Sequence, residues 1–236
     1  MKLKLLAPIL GMLLLFGACS AETPPQTPAS MTPAASTSDQ SKTLTPMPVP
    51  TPAPAPAQNQ LDPPKIGEKI VVIETDLGKI KMRIFTKDVP ELSKNFLKLA
   101  LDGKYKNVLF HRVVKNFMIQ TGDFTNKDGT GGYSYKGPGT MLPNEINPAY
   151  KHLYGTVSMA KSPLPVSIGS QFFIVTNKNG APFLDGNFSP FAQVYEGMDV
   201  AEKIADLQIP GTEKPKKLIK IKKVSIILFT NPKSAR

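Results

Sequence analysis

Alternating polar and apolar residues predict a series of short β-strands in this chain. The pattern is clearest in Lys79–Phe85, where lysine and arginine side chains alternate with Ile, Met and Ile. A period of two residues is typical of a strand that buries one face. The predicted strands are 70–75, 79–85, two runs within 110–124 that flank Lys115-Asn116, 156–160, 171–176, 191–195 and 218–229.

Two segments have the spacing of amphipathic helices. The first is predicted to begin at Asp88, with Glu91 at the spacing of a capping box. It ends before Gly103, and its apolar stripe comprises Leu92, Phe96 and Leu99. The second helix is predicted over 199–207. Many short strands with only two helices predict an all-β fold, in which the strands form a closed barrel and the helices cap its ends.

The first 18 residues have the pattern of a secretory signal peptide. Two lysines precede an apolar run from Leu5 to Phe16, which is too short to span a bilayer comfortably. The run ends in small residues before Cys19, the only cysteine, and this ending resembles the bacterial lipobox. We therefore expect 1–18 to be a lipoprotein signal peptide and Cys19 to carry the lipid. The alternative is an ordinary signal peptide cleaved nearby, which would leave an incidental thiol.

Residues 19–64 have the composition of a linker. From Ser20 to Pro64 the chain holds 12 of its 24 prolines. Such a tract cannot form a core and favours polyproline II, so we expect a disordered tether between the lipid and the domain. The alternative is a proline-rich ligand for another protein. Residues 65–236 have an ordinary globular composition and are numerous enough for one well-buried core.

The net charge is +11, and much of it is concentrated near the end of the chain. The basic cluster comprises Lys214, Lys216, Lys217, Lys220, Lys222 and Lys223. Such a cluster could hold the domain close to an anionic lipid surface. The alternative is a solvated strand face that protects a sheet edge from pairing. Since no nucleic-acid-binding motif occurs, we expect no nucleic-acid partner.

The sequence lacks the residues that most covalent catalytic mechanisms need. The chain has two histidines, His111 and His152, and no cluster with the ligand spacing of a metal site. No G-x-S-x-G elbow or P-loop occurs. We therefore expect no metal and no cofactor, and His152 is interpreted as an exposed loop residue. An enzyme built from these residues is expected to make and break no covalent bonds.

Rotation about an X–Pro amide fits that constraint. The barrier of about 18–20 kcal/mol comes from the partial double bond and needs no nucleophile. The reaction needs an apolar pocket for the proline ring and a donor for the nitrogen lone pair of the twisted amide. Arg112 could be the donor, and Gln120 could hold the substrate carbonyl. Three side chains could line the ring pocket: Phe117, Met118 and Phe173.

Several blocks resemble the cyclophilins, a family of peptidyl-prolyl cis-trans isomerases. They occur in the family's order and together span about residues 68–229. The blocks are Phe110-His111-Arg112, 117–123, Gly129-Thr130-Gly131-Gly132, Ser158-Met159-Ala160, 169–174 and Leu184-Asp185-Gly186. The resemblance implies a closed barrel of eight strands capped by two helices, and prolyl isomerase activity.

The resemblance also implies a role for individual residues. Arg112 is the implied catalytic residue. The implied substrate-binding residues are His111, Phe117, Met118, Gln120, Ala160, Gln171, Phe173, Phe183, Leu184 and Phe188. A secondary pocket, for the residue that precedes the bound dipeptide, is implied at Thr130, Ser162 and Ser170. Taken singly, Phe117, Met118 and Phe173 would more often be core than pocket, and Arg112 would more often be a structural arginine in an ion pair. Only the joint pattern favours the site.

The sequence departs from the family pattern beside the implied site. Lys161 stands where Asn or Arg is usual, and the loop 162–168 that follows it is longer than usual and lacks the familiar Asn and Gly residues. Phe183 stands where many members carry Trp, and the chain has no Trp. Because the indole N–H of that Trp contacts cyclosporin in the family, we expect weak cyclosporin binding. Nanomolar inhibition would contradict this expectation.

The sequence thus predicts a monomeric prolyl isomerase that is anchored to the bacterial cell envelope and assists the folding of exported proteins. Its expected partners are proline-containing polypeptides and, through the lipid, a membrane. Two alternatives stay open at this level. The domain could be a chaperone that binds proline peptides with little turnover, or a surface adhesion lipoprotein that acts through its basic residues.

Overall fold

A computed structural model of the chain describes residues 59–162 and 168–230. The predicted signal peptide, Cys19 and the linker up to residue 58 lie outside the described residues. So does the 163–167 part of the loop that follows Lys161. Within the described residues, no helix is both long enough and apolar enough to cross a membrane.

One antiparallel sheet of eight strands forms the body of the domain. Its strands are β1 Lys69–Thr75, β2 Gly78–Ile84, β3 Arg112–Val114, β4 Met118–Thr121, β5 Thr156–Lys161, β6 Ile168–Val175, β7 Ser189–Glu196 and β8 Ile221–Leu228. Their spatial order is β3-β4-β6-β5-β7-β2-β1-β8. The strands predicted from alternation are therefore confirmed, with bounds that shift by a few residues at most ends.

The sheet is an open, curled half-barrel, and the expected closed barrel is wrong. Its two edges are β3 and β8, which do not pair as strands. The chain before β3 meets the start of β8 and the residues just before it. Leu109 and Lys220 form an isolated bridge, the Asn107 and Phe110 amides donate to the carbonyls of Ile221 and Ile219, and the Ile221 amide donates to the Val108 carbonyl. β3 has three residues. Its outer edge binds a loop, because the Val113 amide donates to the Glu213 carbonyl at 2.7 Å. The loop between α2 and β8 therefore lies along the outer edge of β3, and β8 itself does not pair with β3.

The first helix, α1, spans Pro90–Leu101 and covers the core face of the sheet. Its predicted apolar stripe is confirmed, because Leu92, Phe96 and Leu99 are all buried. The predicted capping box is wrong. Val89 occupies the N-cap position, and Asp88 instead accepts a hydrogen bond from the Tyr150 hydroxyl at 2.7 Å. A distant carboxylate, Glu145, accepts the first-turn amide of Leu92 at 2.9 Å.

The second helix, α2, spans Met198–Ala205 and packs beside β2, β3 and β4. Its predicted inward residues, Val200 and Ile204, are buried as expected. The helix begins after Gly197, whose φ of 94° is left-handed and suits glycine. A Cβ at this position would also lie 2.2 Å from the Lys79 carbonyl oxygen, so the turn into α2 requires glycine.

The main core lies between α1 and one face of the sheet. Four aromatic rings fill its centre, with Phe96 stacked on Tyr105 and in contact with Phe172 and Phe191 at centroid distances of 5.0–5.3 Å. Burial of such rings is a large part of the hydrophobic stabilisation of a domain this size. Along β6, Phe172 and Ile174 point into this core, so the alternating residues Gln171 and Phe173 point to the opposite face.

Residues 59 and 60 pack against the domain, although the sequence places them in the linker. The Gln60 side chain is 5% exposed. Its amide nitrogen donates to the Lys151 carbonyl at 2.7 Å and to the Thr156 hydroxyl at 2.8 Å, and its amide oxygen accepts the Lys151 amide at 2.9 Å. Buried Arg83 donates to the carbonyl oxygens of Asn59 and Gln60 at 2.9 and 3.0 Å. These contacts attach the chain to the domain before β1.

The basic cluster follows the edge strand β8 and the loop before it. All six of its lysines are exposed. Lys222 and Lys223 lie on β8, and Lys222 pairs with Asp76 at 3.5 Å. Lysines on an exposed edge strand discourage pairing with another chain, so this position fits the edge-protecting interpretation of the cluster.

Candidate active site

A short hairpin places the first two candidate residues side by side. β3 and β4 are joined through Lys115, Asn116 and Phe117, and Asn116 adopts a left-handed φ of 59° that asparagine tolerates well. In the resulting register Arg112 lies directly opposite Gln120. Residues opposite each other in an antiparallel pair share one face of the sheet. The two side chains therefore emerge together.

The neighbouring strand extends this pair into a row. Gln120 of β4 lies opposite Phe173 of β6, and Phe173 lies opposite Ser158 of β5. The row Arg112–Gln120–Phe173 is on the sheet face away from the main core, because the alternating residues Val113 and Ile119 point into that core. Strand periodicity thus assigns the core to one face and the candidate site to the other.

Hydrogen bonds run along the polar part of this face. The Glu213 carboxylate holds Arg112 through Nε at 2.7 Å and Nη2 at 2.9 Å. Arg112 Nη1 donates to Gln120 Oε1 at 3.2 Å, and Gln120 Nε2 donates to Gln171 Oε1 at 2.9 Å. Gln171 Nε2 then donates to the carbonyl oxygens of Gly129 and Gly131 at 2.9 and 2.8 Å. The guanidinium is thereby oriented from both sides.

Asp123 holds the glycine-rich loop at the end of this chain of hydrogen bonds. Its carboxylate accepts the backbone amides of Asn126, Gly129 and Gly131 at 2.9–3.0 Å. Burial alone would raise the pKa of Asp123, but these amides hold it well below its usual range. The carboxylate therefore stays ionised and holds in place the two carbonyl groups to which Gln171 donates hydrogen bonds.

An apolar cluster lies beside the guanidinium on the same face. Its buried members are Met118, Phe173, Val175, Ala181 and Leu184, and the partly buried Val114, Phe117, Ala160 and Phe188 pack against them. Phe173 and Phe188 meet edge to face with their centroids 5.8 Å apart. The cluster contains the three side chains that the sequence predicts for the ring pocket, Phe117, Met118 and Phe173, and is separate from the main core. It also contains Leu184 and Phe188 of the implied substrate-binding set.

His152 supports this cluster from below, so its interpretation as an exposed loop residue is wrong. Its side chain is fully buried. The ring stacks on Phe173 at 6.0 Å, Nδ1 lies 2.8 Å from the Asp185 carboxylate, and Nε2 lies 3.1 Å from the Ser158 hydroxyl. Burial lowers the pKa of His152, although Asp185 acts in the opposite direction. The neutral ring and its two partners fix the floor of the pocket.

Phe183 lies outside the pocket that Leu184 enters. A short 3-10 turn at Pro182–Leu184 sends the two side chains in different directions. Phe183 is 67% exposed, and its ring lies 5.4 Å from that of Phe117. It can therefore contact a ligand only at the outer rim. Leu184, which is 8% exposed, closes one wall of the apolar cluster.

A second cavity of about 280 Å³ adjoins the apolar cluster. The three residues of the predicted secondary pocket, Thr130, Ser162 and Ser170, all line it. It shares Gln120, Ala160 and Gln171 with the predicted peptide groove and also includes Met141, Lys161 and the backbone of Gly129, Gly131 and Gly169. Ser170 is fully buried and donates to the Gly122 carbonyl at 2.6 Å, so its hydroxyl supports the wall.

His111 lies under the glycine-rich loop. Its ring packs so closely that a Cβ on Gly129 would lie 2.9 Å from His111 Cδ2. Both ring nitrogens are buried and have no hydrogen-bond partner within the described residues. Burial lowers the pKa of His111, so the ring is neutral near pH 7. The ring fills the space under Gly129 and carries no charge.

Comparison with known proteins identifies this arrangement. Residues 70–226 match the family model described as cyclophilin type peptidyl-prolyl cis-trans isomerase/CLD. The chain belongs to the cyclophilin family. It is a cyclophilin-type peptidyl-prolyl cis-trans isomerase, and the aligned segment contains every site residue named above.

Relatives and solved structures agree with the family assignment. Peptidyl-prolyl cis-trans isomerase CYP18-2 of Arabidopsis thaliana is 39% identical over 158 residues, which cover 66% of this chain and 93% of the relative. Peptidyl-prolyl cis-trans isomerase 9 of Schizosaccharomyces pombe is 40% identical over 161 residues, covering 67% of this chain but only 25% of the relative. The crystal structure of a Cryptosporidium parvum cyclophilin-type isomerase superposes with a TM-score of 0.63 at 34% identity, covering 70% of this chain and 99% of the other.

Two side chains of this cyclophilin's site are invisible to sequence reasoning. Glu213 lies 101 residues after Arg112, in a loop that shows no motif. His152 stands in the sequence Lys151-His152-Leu153, which carries no signal of burial. The Arg112 side chain is 38% exposed, so the guanidinium lies at the surface of the site. Within 59–162 and 168–230, no cluster of His, Cys, Asp and Glu could hold a metal ion.

Proposed function

We propose that this cyclophilin binds an X–Pro segment across the face that Arg112, Gln120 and Phe173 share, with the proline ring in the apolar cluster. The observation that carries the proposal is the cross-strand row itself. It places an oriented guanidinium next to the one apolar cluster, within the described residues, that lies outside the main core. A related structure from Cryptosporidium parvum was solved in the presence of the dipeptide Ala-Pro, which supports a site of this size.

Arg112 would act on the twisted amide. As the C–N bond rotates, the proline nitrogen loses conjugation and regains a lone pair, which a nearby N–H donor stabilises more than it stabilises the planar amide. A guanidinium carries five N–H donors, and three of those on Arg112 already bind Glu213 and Gln120. Two donors are left for the substrate, and the ion pair fixes where they point.

The remaining polar groups would hold the peptide. Gln120 and Gln171 present amide groups along the face, and Ala160 lies at the junction of the apolar cluster and the second cavity. None of these groups needs to gain or lose a proton during rotation. Catalysis would therefore come from orientation and from one oriented donor, as in sites that stabilise a developing charge or lone pair.

An isomerisation assay tests this assignment. The full-length protein should accelerate cis-trans relaxation of an Ala-Pro peptide, and Arg112→Ala should lower kcat/KM by about 100-fold or more, the usual cost of removing one oriented donor. Lys115→Ala is the matched control, because Lys115 is an exposed cation on the same hairpin that pairs with Asp206. An Arg112→Ala variant that keeps full activity and folds normally would overturn the role of Arg112.

A specific observation favours a second candidate function, a proline-binding chaperone with low turnover. Glu213 binds the guanidinium at two positions, and a carboxylate so placed partly offsets the charge that would attract the nitrogen lone pair. If that offset dominates, the protein would bind proline peptides with rates close to the uncatalysed background. Measuring the peptide Kd and the isomerisation rate on one sample separates the two functions.

The proposed place of action is the bacterial cell envelope, where the lipidated protein would assist the folding of exported proteins. The support is the apolar run before Cys19 and the proline-rich tract after it. Wild type and Cys19→Ala, expressed with radiolabelled palmitate, test the anchor. Label and membrane association in the wild type alone would support the proposal. Equal behaviour of the two proteins would overturn the anchor without affecting the isomerase assignment.

A further inference from the structure

Lys161 lies at the edge of the apolar cluster. It is the last residue of β5, and its Nζ lies 4.7 Å from the centroid of the Phe188 ring. Phe188 packs on Phe173 and thereby on the rest of the cluster. The aromatic face attracts the ammonium group and holds it near the ring. A positive charge therefore stands beside the pocket proposed for proline.

The same side chain also lines the second cavity. The other described residues around that cavity carry hydroxyl, amide, thioether or backbone groups, so Lys161 is the charged member of the lining. Ala160, the preceding residue, belongs both to the cavity and to the apolar cluster. The ammonium group consequently stands between the two subsites, where a peptide that occupied both would pass it.

No described carboxylate neutralises this charge. The ion pairs among residues 59–162 and 168–230 do not include Lys161. Three acidic residues next to residues of the site have other partners. Asp123 accepts the amides of Gly129 and Gly131, Asp128 accepts the amide and hydroxyl of Thr130 at 2.9 and 2.6 Å, and Asp185 binds His152. By sequence, residues 163–167 are Pro-Leu-Pro-Val-Ser and carry no charge. An acidic side chain of a bound peptide could therefore pair with the Lys161 ammonium group.

We propose that Lys161 is a specificity-determining residue, which makes this site prefer peptides with an acidic side chain at the residue before the X–Pro dipeptide. The inference rests on the proposed function, because it assumes that the proline ring occupies the apolar cluster. The ammonium group is exposed, and an exposed ion pair changes an equilibrium by about two- to five-fold. The preference is thus modest, and salt weakens it.

Three peptides that differ only at that position test the proposal. The series is Glu-Ala-Pro, Gln-Ala-Pro and Lys-Ala-Pro within one neutral frame, and kcat/KM is measured with the full-length protein. The wild type should prefer Glu over Gln by about two- to five-fold and Gln over Lys. In Lys161→Gln the Glu-to-Gln ratio should fall to about one, and in Lys161→Glu the order should reverse.

The matched control is Lys223→Gln. It removes the same charge from an exposed lysine on β8, which is separated from β5 by three strands in the sheet order. Its Glu-to-Gln ratio should equal that of the wild type. A ratio near one in the wild type, or an unchanged ratio in Lys161→Gln, would overturn the proposal while the isomerase assignment stands. If no peptide is isomerised above background, the proposed function itself fails.

Discussion

Glu213 holds Arg112 through both of its carboxylate oxygens, at 2.7 Å to Nε and 2.9 Å to Nη2. The hydrogen bonds to Arg112 keep the pKa of Glu213 below its usual range, so the carboxylate is ionised at neutral pH. This pairing comes from the loop that also binds the outer edge of β3 through Val113. One residue of this loop therefore binds the edge of β3 through its backbone and orients the guanidinium through its side chain.

The pairing predicts the behaviour of Glu213→Ala. Without the carboxylate, Arg112 keeps only its bond to Gln120 and samples more orientations, so kcat should fall by about three- to ten-fold with little change in peptide Kd. Glu196→Ala is the control, since Glu196 is an exposed carboxylate that pairs with Lys81 away from the site. An increase in kcat would instead show that Glu213 restrains catalysis and would favour the low-turnover chaperone.

The two histidines predict a pH dependence of stability. Burial lowers the pKa of both His111 and His152, so the folded protein binds protons less tightly than the unfolded chain. The free energy of unfolding should therefore be level above about pH 7 and should fall as the pH drops below about 6.5, the pKa of an unfolded histidine. The slope can reach about 1.4 kcal/mol per pH unit for each histidine.

Urea denaturation at a series of pH values between 7.5 and 5 measures this slope. His152→Gln should remove the part of this pH slope that is due to His152 and leave the part that is due to His111. The carboxylates with lowered pKa values, including Asp123 and Glu213, lose their contribution only at lower pH, below the usual range of Asp and Glu. Stability that stays constant down to pH 5 would contradict the burial of neutral histidines.

Among substitutions in the glycine-rich loop, Asp123→Ala should cause the largest loss of stability. Asp123→Ala leaves the amides of Asn126, Gly129 and Gly131 without their acceptor, so the free energy of unfolding should fall by about 3 kcal/mol. The activity should fall as well, because Gln171 binds the carbonyl groups of the same loop. Asp128→Ala, a change at an exposed carboxylate nearby, should lower the free energy of unfolding much less. Equal losses in thermal or chemical denaturation would contradict this reading.

The buried contacts of Gln60 predict that the folded domain begins before residue 65. Gln60→Ala removes hydrogen bonds to Lys151 and Thr156 from a buried site and should lower the free energy of unfolding by about 2 kcal/mol. Leu61→Ala is the control, because the Leu61 side chain is 58% exposed. Chemical denaturation of the full-length variants measures the difference. Equal stability of the two variants would place the start of the domain after these residues.

Local patterns in the sequence are sufficient to predict the secondary-structure elements and one face of the site. Alternation predicts the strands because a sheet with one buried face repeats every two residues. The hairpin around Lys115-Asn116 brings Arg112 and Gln120 together within nine residues, so no distant contact is needed. The motif blocks then indicate the apolar residues, and the structure gathers them into one cluster outside the main core.

Contacts between distant segments decide the rest. The outer edge of β3 binds the backbone of Glu213, His152 is buried because Asp185 and Ser158 bind its ring, and Gln60 packs against the domain because Lys151 and Thr156 bind its amide. Each of these partners lies far away along the chain or depends on how the sheet curls. The sequence by itself determined the strands and the hairpin, since those follow from local periodicity, and its motif blocks indicated the candidate site residues. Only the tertiary structure decided their counter-ions, caps and supports, because polar groups are buried wherever folding brings a partner.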